Sequence, residues 1–132
     1  MDASAIVAIL AREPESVRFA QRVEWETDRM SSAIAIWEAS RGLAGARGLE
    51  FEEARSIVAE YVEEFAIRIV AIGAEENTLA LDAHARYGKG RHPAKLNLGD
   101  CFAYACTKCS GAEILFKGDD FTQTDLIDAV LG

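Results

Sequence analysis

Asn97-Leu98-Gly99-Asp100-Cys101-Phe102-Ala103-Tyr104-Ala105 sets one carboxylate at the mouth of a segment that is otherwise almost wholly apolar or small. Asn97 is a favoured N-cap type, so the spacing predicts a helix from Leu98 to about Ser110, stopped by Gly111. A helix that is apolar on most sides is normally buried. Asp100 therefore enters the core, and a buried charge is costly unless it is paired, hydrogen-bonded or bound to a cation. The rest of the chain is read for what shares that position with it.

At 132 residues, half of them hydrophobic and 27% charged, the composition is that of a soluble globular protein folded as a single domain, 1–132. No apolar run approaches the roughly 20 residues a bilayer crossing needs. No basic-then-apolar leader is present either, so the expected compartment is the cytoplasm. Three cysteines do not make a disulfide framework, and Cys106 and Cys109 read as buried structural thiols.

The net charge of −8 argues against nucleic acid, because phosphate binding wants a basic surface. Its distribution weakens that objection. From Ala83 to Gly99 the chain has no acidic residue, and Arg86, Lys89, Arg91, Lys95, His84 and His92 all fall inside. This strip leads directly to Asp100. It reads either as a solvated loop or as an approach for a polyanion.

Upstream, Asp2 and Ser4 mark a helix start, with helix to about Ala11. Pro14 opens a second helix to about Glu26, with Val17, Ala20 and Val23 inward. Arg29-Met30-Ser31 is a candidate short strand. Ser31 or Ser32 then caps a helix to about Ala46, on which Ile34, Trp37, Glu38 and Arg41 are neighbours on one face. Gly45 and Gly48 bound a turn. Phe51 to Phe65 is amphipathic, Ile67 to Ile72 is a β-branched strand, and Ala74 to Tyr87 is a further helix. Glu113 to Phe116 reads as a strand ending at Asp119-Asp120, and Leu126 to Val130 as a last short strand. Helices alternating with short strands predict an α/β fold around a small, mainly parallel sheet, with ligands at the carboxyl ends of strands.

Asp2, Glu38, Asp100 and the Asp119/Asp120 pair each stand at an element end or on an apolar face. No histidine or cysteine accompanies them as a soft ligand, and all-oxygen sites suit hard cations such as magnesium or manganese. Such ions lower the pKa of bound water and stabilise displacement at phosphorus. Each acid also has a purely structural explanation. Asp2 is a natural N-cap, Asp100 can complete a capping box with Asn97, Glu38 can pair with Arg41, and Asp119-Asp120 suits a turn.

Taken together, Asp2 to Leu10, Glu38 in its helix, Gly88 to Ala105 and Leu115 to Phe121 resemble a PIN domain of the VapC toxin family over nearly the whole length. The resemblance implies a PIN-like α/β/α sandwich and a metal-dependent ribonuclease. It further implies the toxin half of a type II toxin–antitoxin pair, held in check by a VapB-type antitoxin and assembled as a homodimer. By position, Asp2 and Asp100 match the metal ligands, Glu38 the second acid, and Asp119 or Asp120 the fourth. Ser4 matches a hydroxyl position beside the site. The chain departs from the family at its start, where Met1 alone stands in place of a short apolar strand.

The expected chemistry is hydrolysis of an RNA phosphodiester with Mg2+ or Mn2+. Asp2 and Asp100 hold the ion, the other acids orient the nucleophile, and Arg86, Lys89, Arg91 and Lys95 attract the RNA backbone. The alternative is a binding or regulatory module of the same fold without cleavage. For the antitoxin, the early helices with Phe19 and Trp25 form a candidate groove, although both aromatics are equally suited to a core.

Overall fold

The chain start is built into the protein by three hydrogen bonds. The Met1 amino group donates to the Met30 carbonyl at 2.5 Å, Ser31 Oγ to the Met1 carbonyl at 2.9 Å, and Asp2 N–H to the Leu115 carbonyl at 3.0 Å. Met1 and Asp2 are thus bonded to Met30 and Ser31 on one side and to Leu115 on the other. This computed structural model describes residues 1–90, 92–115, 121–122 and 124–126.

Six helices and two strands are present among the described residues. In order they are α1 (Ala3–Leu10), α2 (Ser16–Trp25), β1 (Met30–Ser32), α3 (Ala33–Arg47), α4 (Phe51–Glu64), β2 (Arg68–Val70), α5 (Ala74–Tyr87) and α6 (Leu98–Ser110). The strands are parallel, with Met30 opposite Arg68 and Ser32 opposite Val70. The α/β class and the parallel pairing agree with the expectation.

Ser32 explains why the sheet is so short. It is extended, with φ −132° and ψ 163°, and its hydroxyl accepts from Ala35 N–H as the N-cap of α3. The last residue of β1 is therefore the first cap of a helix, and β2 finds no partner beyond Val70. The strand expected over Ile67–Ile72 shrinks to three residues for that reason.

Helix α1 packs on α3 through Ile6, against Ala39 and Leu43, and on α2 through Ala5 and Ala8, against Phe19 and Val23. Ala5 and Ala8 of α1 and Ala39 of α3 are fully buried, and a Cβ added at Gly42 would come within 3.0 Å of Val7. Around this seam, Ile6, Leu43, Ala54, Val58, Tyr61 and Ile67 form one core cluster. A second joins α5 and α6 through Ala83, Tyr87, Leu96, Cys101, Tyr104 and Ala105, with Ile114 and Phe121 closing it.

Several expectations are corrected. Val17 is exposed, and Phe19 with Val23 forms the inward face of α2, one helical turn apart. On α3 the buried stripe is Ala35, Ala39 and Leu43 rather than Ile34 and Trp37, and Ala39 and Leu43 join Ile6 of α1 in the core. Gly45 lies within α3, and only Gly48, left-handed at φ 62°, ends it. Phe51 is exposed. Glu113 to Leu115 shows an isolated bridge at Ile114 rather than a strand, although Ile114 and Leu115 are buried and Leu115 pairs with Asp2. Cys109 is exposed while Cys101 and Cys106 are buried, and all three are free thiols. Asp119, Asp120, Arg91, Phe116 and the strand expected to end at Val130 lie outside the described residues, apart from Leu126. No helix of the described residues is long and apolar enough to cross a membrane.

Candidate active site

Asp2 and Asp100 stand at two helix amino termini, and Glu38 on the side of a third helix lies against the second of these termini and feels the charge of Asp2 at the first. Asp2 is the N-cap of α1; its Oδ2 accepts from Ser4 N–H at 3.1 Å and from Ser4 Oγ–H at 2.6 Å. Asp100 is the third residue of α6 in a capping box. Its Oδ2 accepts from Asn97 N–H at 3.0 Å, and Asn97 Oδ1 accepts from Asp100 N–H at 2.9 Å. Carboxylates are stabilised at helix amino termini, where N–H groups lack intrahelical partners. This is how the fold tolerates two carboxylates that are only 7% and 8% exposed.

The structural alternatives for Asp2 and Asp100 are thus realised, and they do not compete with a functional reading. Capping engages Oδ2 of each residue and fixes the direction in which the whole carboxylate points.

Glu38 supplies the link between them. It stands on α3, and its carboxylate lies against the α6 backbone at Gly99, the residue before Asp100. Its pKa is raised by burial and by the negative charge of Asp2, with Arg41 opposing. The expected Glu38–Arg41 pair does not form as a contact ion pair; the Arg41 guanidinium instead sits 5.1 Å from the Trp37 ring centroid.

Asp2, Glu38 and Asp100 do not close into a tight group. Among the described residues, only Glu75, Glu76 and Cys109 bring three ligand atoms within 4.8 Å. That second group is occupied by capping. Glu76 accepts from Gly73 N–H at 2.7 Å and from the Cys109 thiol at 3.1 Å. Burial and the Glu76 hydrogen bond push the Cys109 thiol up to about 12, which keeps it protonated and a poor ligand.

The C-terminal segment is tied to α6 below Asp100. Tyr104 Oη–H donates to Asp125 Oδ1 at 2.7 Å, Lys108 Nζ pairs with Asp125 Oδ2 at 2.6 Å, and Phe121 is buried in the α5–α6 core. The sequence reading missed this attachment, since nothing local marks Tyr104 and Asp125 as partners. Of the basic strip, Arg86 donates to Tyr87 Oη at 2.9 Å and covers that ring, while Lys89 and Lys95 are exposed.

A profile of the PIN domain matches residues 1–126. The chain belongs to the PIN domain family. Within that family it is 38% identical to Ribonuclease VapC30 of Mycobacterium tuberculosis, covering 99% of this chain and 98% of the relative. It is 40% identical to Ribonuclease VapC of Mycolicibacterium smegmatis, covering 96% and 95%. A VapC ribonuclease of Rhizobium meliloti is 39% identical over 96% of this chain and 97% of its own. The VapC resemblance of the sequence is therefore a family relationship that runs nearly the full length of this chain and of these relatives.

The donor set of this PIN domain fits a hard divalent cation. It consists of carboxylates alone, two of them buried and already oriented by their helices, with a third beside them that carries a raised pKa. A cation would offset the mutual repulsion that this arrangement creates.

Proposed function

We propose that this VapC-family PIN domain is a metal-dependent ribonuclease toxin that hydrolyses RNA phosphodiester bonds at the junction of α1, α3 and α6. The observation that carries the reading is Glu38, whose carboxylate is seated at Gly99, the residue before Asp100 at the head of α6, and interacts electrostatically with Asp2. Asp2 and Asp100 would hold Mg2+ or Mn2+. When bound, the ion supplies Lewis-acid stabilisation of phosphoryl oxygens and a nucleophilic water at neutral pH.

The protein's own residues do the rest. Ser4 fixes the Asp2 carboxylate through its 2.6 Å bond, and Asn97 fixes Asp100. Glu38 orients the attacking water and takes its proton, for which a raised pKa suits it. Asp119 or Asp120 is proposed as the fourth acid. Its chain neighbours support this, since Leu115 is bonded to Asp2 and Phe121 is anchored beside α6. Arg86, Lys89, Arg91 and Lys95 are proposed to attract the RNA backbone.

The proposed setting is cytoplasmic, as a single domain over 1–132, dimeric, with a VapB-type antitoxin as partner. The early helices are a poorer groove than the aromatics suggested, because Phe19 belongs to the core and only Trp25 is exposed. Between α3 and α4, however, Ile36, Trp37, Phe51, Val62 and Ile69 line a groove of about 660 Å³ beside the Glu38 turn. An amphipathic antitoxin helix would lie there and reach a cationic side chain toward the acids.

The deciding experiment is cleavage of RNA with Mg2+ or Mn2+, with chelator, and with Asp100→Asn. Activity only in the metal-loaded wild type is expected. Cleavage that survives both chelation and the substitution overturns the assignment.

A further inference from the structure

We infer that Gly99 is a positioning residue, present because any side chain there would displace the Glu38 carboxylate from the site. The inference rests on the functional reading above, in which Glu38 acts on the attacking water.

Glycine is disfavoured in helices relative to alanine, so one in the first turn of a buried helix calls for a reason. Backbone conformation is not that reason: Gly99 is not among the glycines at positive φ, which are Gly48, Gly90 and Gly111. Capping is not the reason either, because Asn97 and Asp100 carry that role on both sides of it. What remains is space. A Cβ built at Gly99 would stand 2.0 Å from Glu38 Oε1 and 2.5 Å from both Cδ and Oε2. The three nearest atoms all belong to the carboxylate itself, the moving end of a flexible side chain.

This decides which way the structure yields. Elsewhere in the molecule a close approach meets backbone, as at Gly88, where the added Cβ would be 2.4 Å from the His84 carbonyl oxygen. At Gly99 the α6 backbone is held by its capping box and by the α5–α6 core, so the Glu38 side chain swings away instead. The fold survives and the third acid leaves the vicinity of Asp2 and Asp100. The missing Cβ of one helix thus makes the seat for the carboxylate of another.

The test is a double-mutant cycle of Gly99→Ala and Glu38→Gln, read by RNA cleavage and by calorimetric titration with Mn2+, with thermal unfolding as the control for folding. Gly99→Ala is expected to keep or raise the melting temperature, to lower kcat/KM by one to two orders of magnitude, and to weaken Mn2+ binding. In the Glu38→Gln background the same change should do almost nothing further to either quantity, because its target is already gone. A second variant, Gly99→Ser, should behave as Gly99→Ala does. Wild-type kcat/KM and Mn2+ affinity in Gly99→Ala, beside a crippled Glu38→Gln, overturn the inference alone. A loss that is undiminished in the Glu38→Gln background overturns it as well, since Gly99 would then act by another route. Full activity in Glu38→Gln removes the functional reading of Glu38, and this inference with it.

Discussion

Ser4 Oγ–H donates to Asp2 Oδ2 at 2.6 Å, across a single turn at the start of α1. One short side chain both completes the helix cap and sets the orientation of the first acid. Hydrogen bonds to charged groups contribute about 1.5–3 kcal/mol, but Ser4 N–H still holds Asp2 when the hydroxyl is removed. Ser4→Ala is therefore expected to cost about 1 kcal/mol in urea unfolding and to lower kcat/KM for RNA about tenfold, which is about 1.4 kcal/mol of barrier. Ser4→Thr, which restores the donor, should stay near wild type.

Asp100→Asn separates capping from chemistry. An asparagine at this position can still accept from Asn97 N–H, so the loss of stability should stay within about 1 kcal/mol. Metal-induced stabilisation is the sensitive readout. A ligand at a hundred times its Kd adds about 2.7 kcal/mol to the native state, and this increment should be present in the wild type and largely gone in the variant. Equal Mn2+ stabilisation of both proteins would place the ion elsewhere.

Glu38 carries a pH dependence of definite sign in chelator. Its folded pKa is raised, first by burial and then by Asp2. The folded state thus holds the proton more tightly than the unfolded chain. The associated stability is present below the unfolded value and is lost as pH rises through the folded one. Metal-free Glu38→Gln should accordingly be more stable than wild type at neutral pH. The gap should narrow as the solution is acidified toward the ordinary glutamate range. Thermal unfolding of both proteins in chelator measures it, and adding Mn2+ should shrink the advantage of the variant at neutral pH.

The exposed lysines of the basic strip should contribute to affinity rather than to the chemical step. For single-stranded nucleic acid, each phosphate contact adds about −0.7 to the slope of log K against log salt. Lys89→Ala with Lys95→Ala should flatten that slope by up to about 1.4 and weaken RNA binding, leaving kcat at saturating RNA within about twofold. An unchanged salt slope would remove both lysines from the RNA path.

Much of the site could be read along the chain because capping is a local code. Asn97 and Asp100 stand three residues apart and reach each other with no help from the rest of the fold; Asp2 and Ser4 do the same. The bounds of α5 and α6 follow equally from local signals, with Gly73 before one and Gly111 after the other. The faces of α2 and α3 were harder. Their apolar positions allow more than one inward stripe, and the choice fell to α1, whose Ile6 packs with Ala39 and Leu43 of α3 and whose Ala5 and Ala8 pack with Phe19 and Val23 of α2.

The sequence by itself determined that this is an α/β chain of the VapC type, where most of its helices begin, and which carboxylates stand at the heads of α1 and α6. Those properties depend on hydrogen bonds and periodicities spanning a few residues. Only the tertiary structure decided that Glu38 of α3 rests on Gly99 of α6 within reach of Asp2, and that Tyr104 holds Asp125. Those pairs are 61 and 21 residues apart, brought together by burial of the helices between them, and no local pattern records such a meeting.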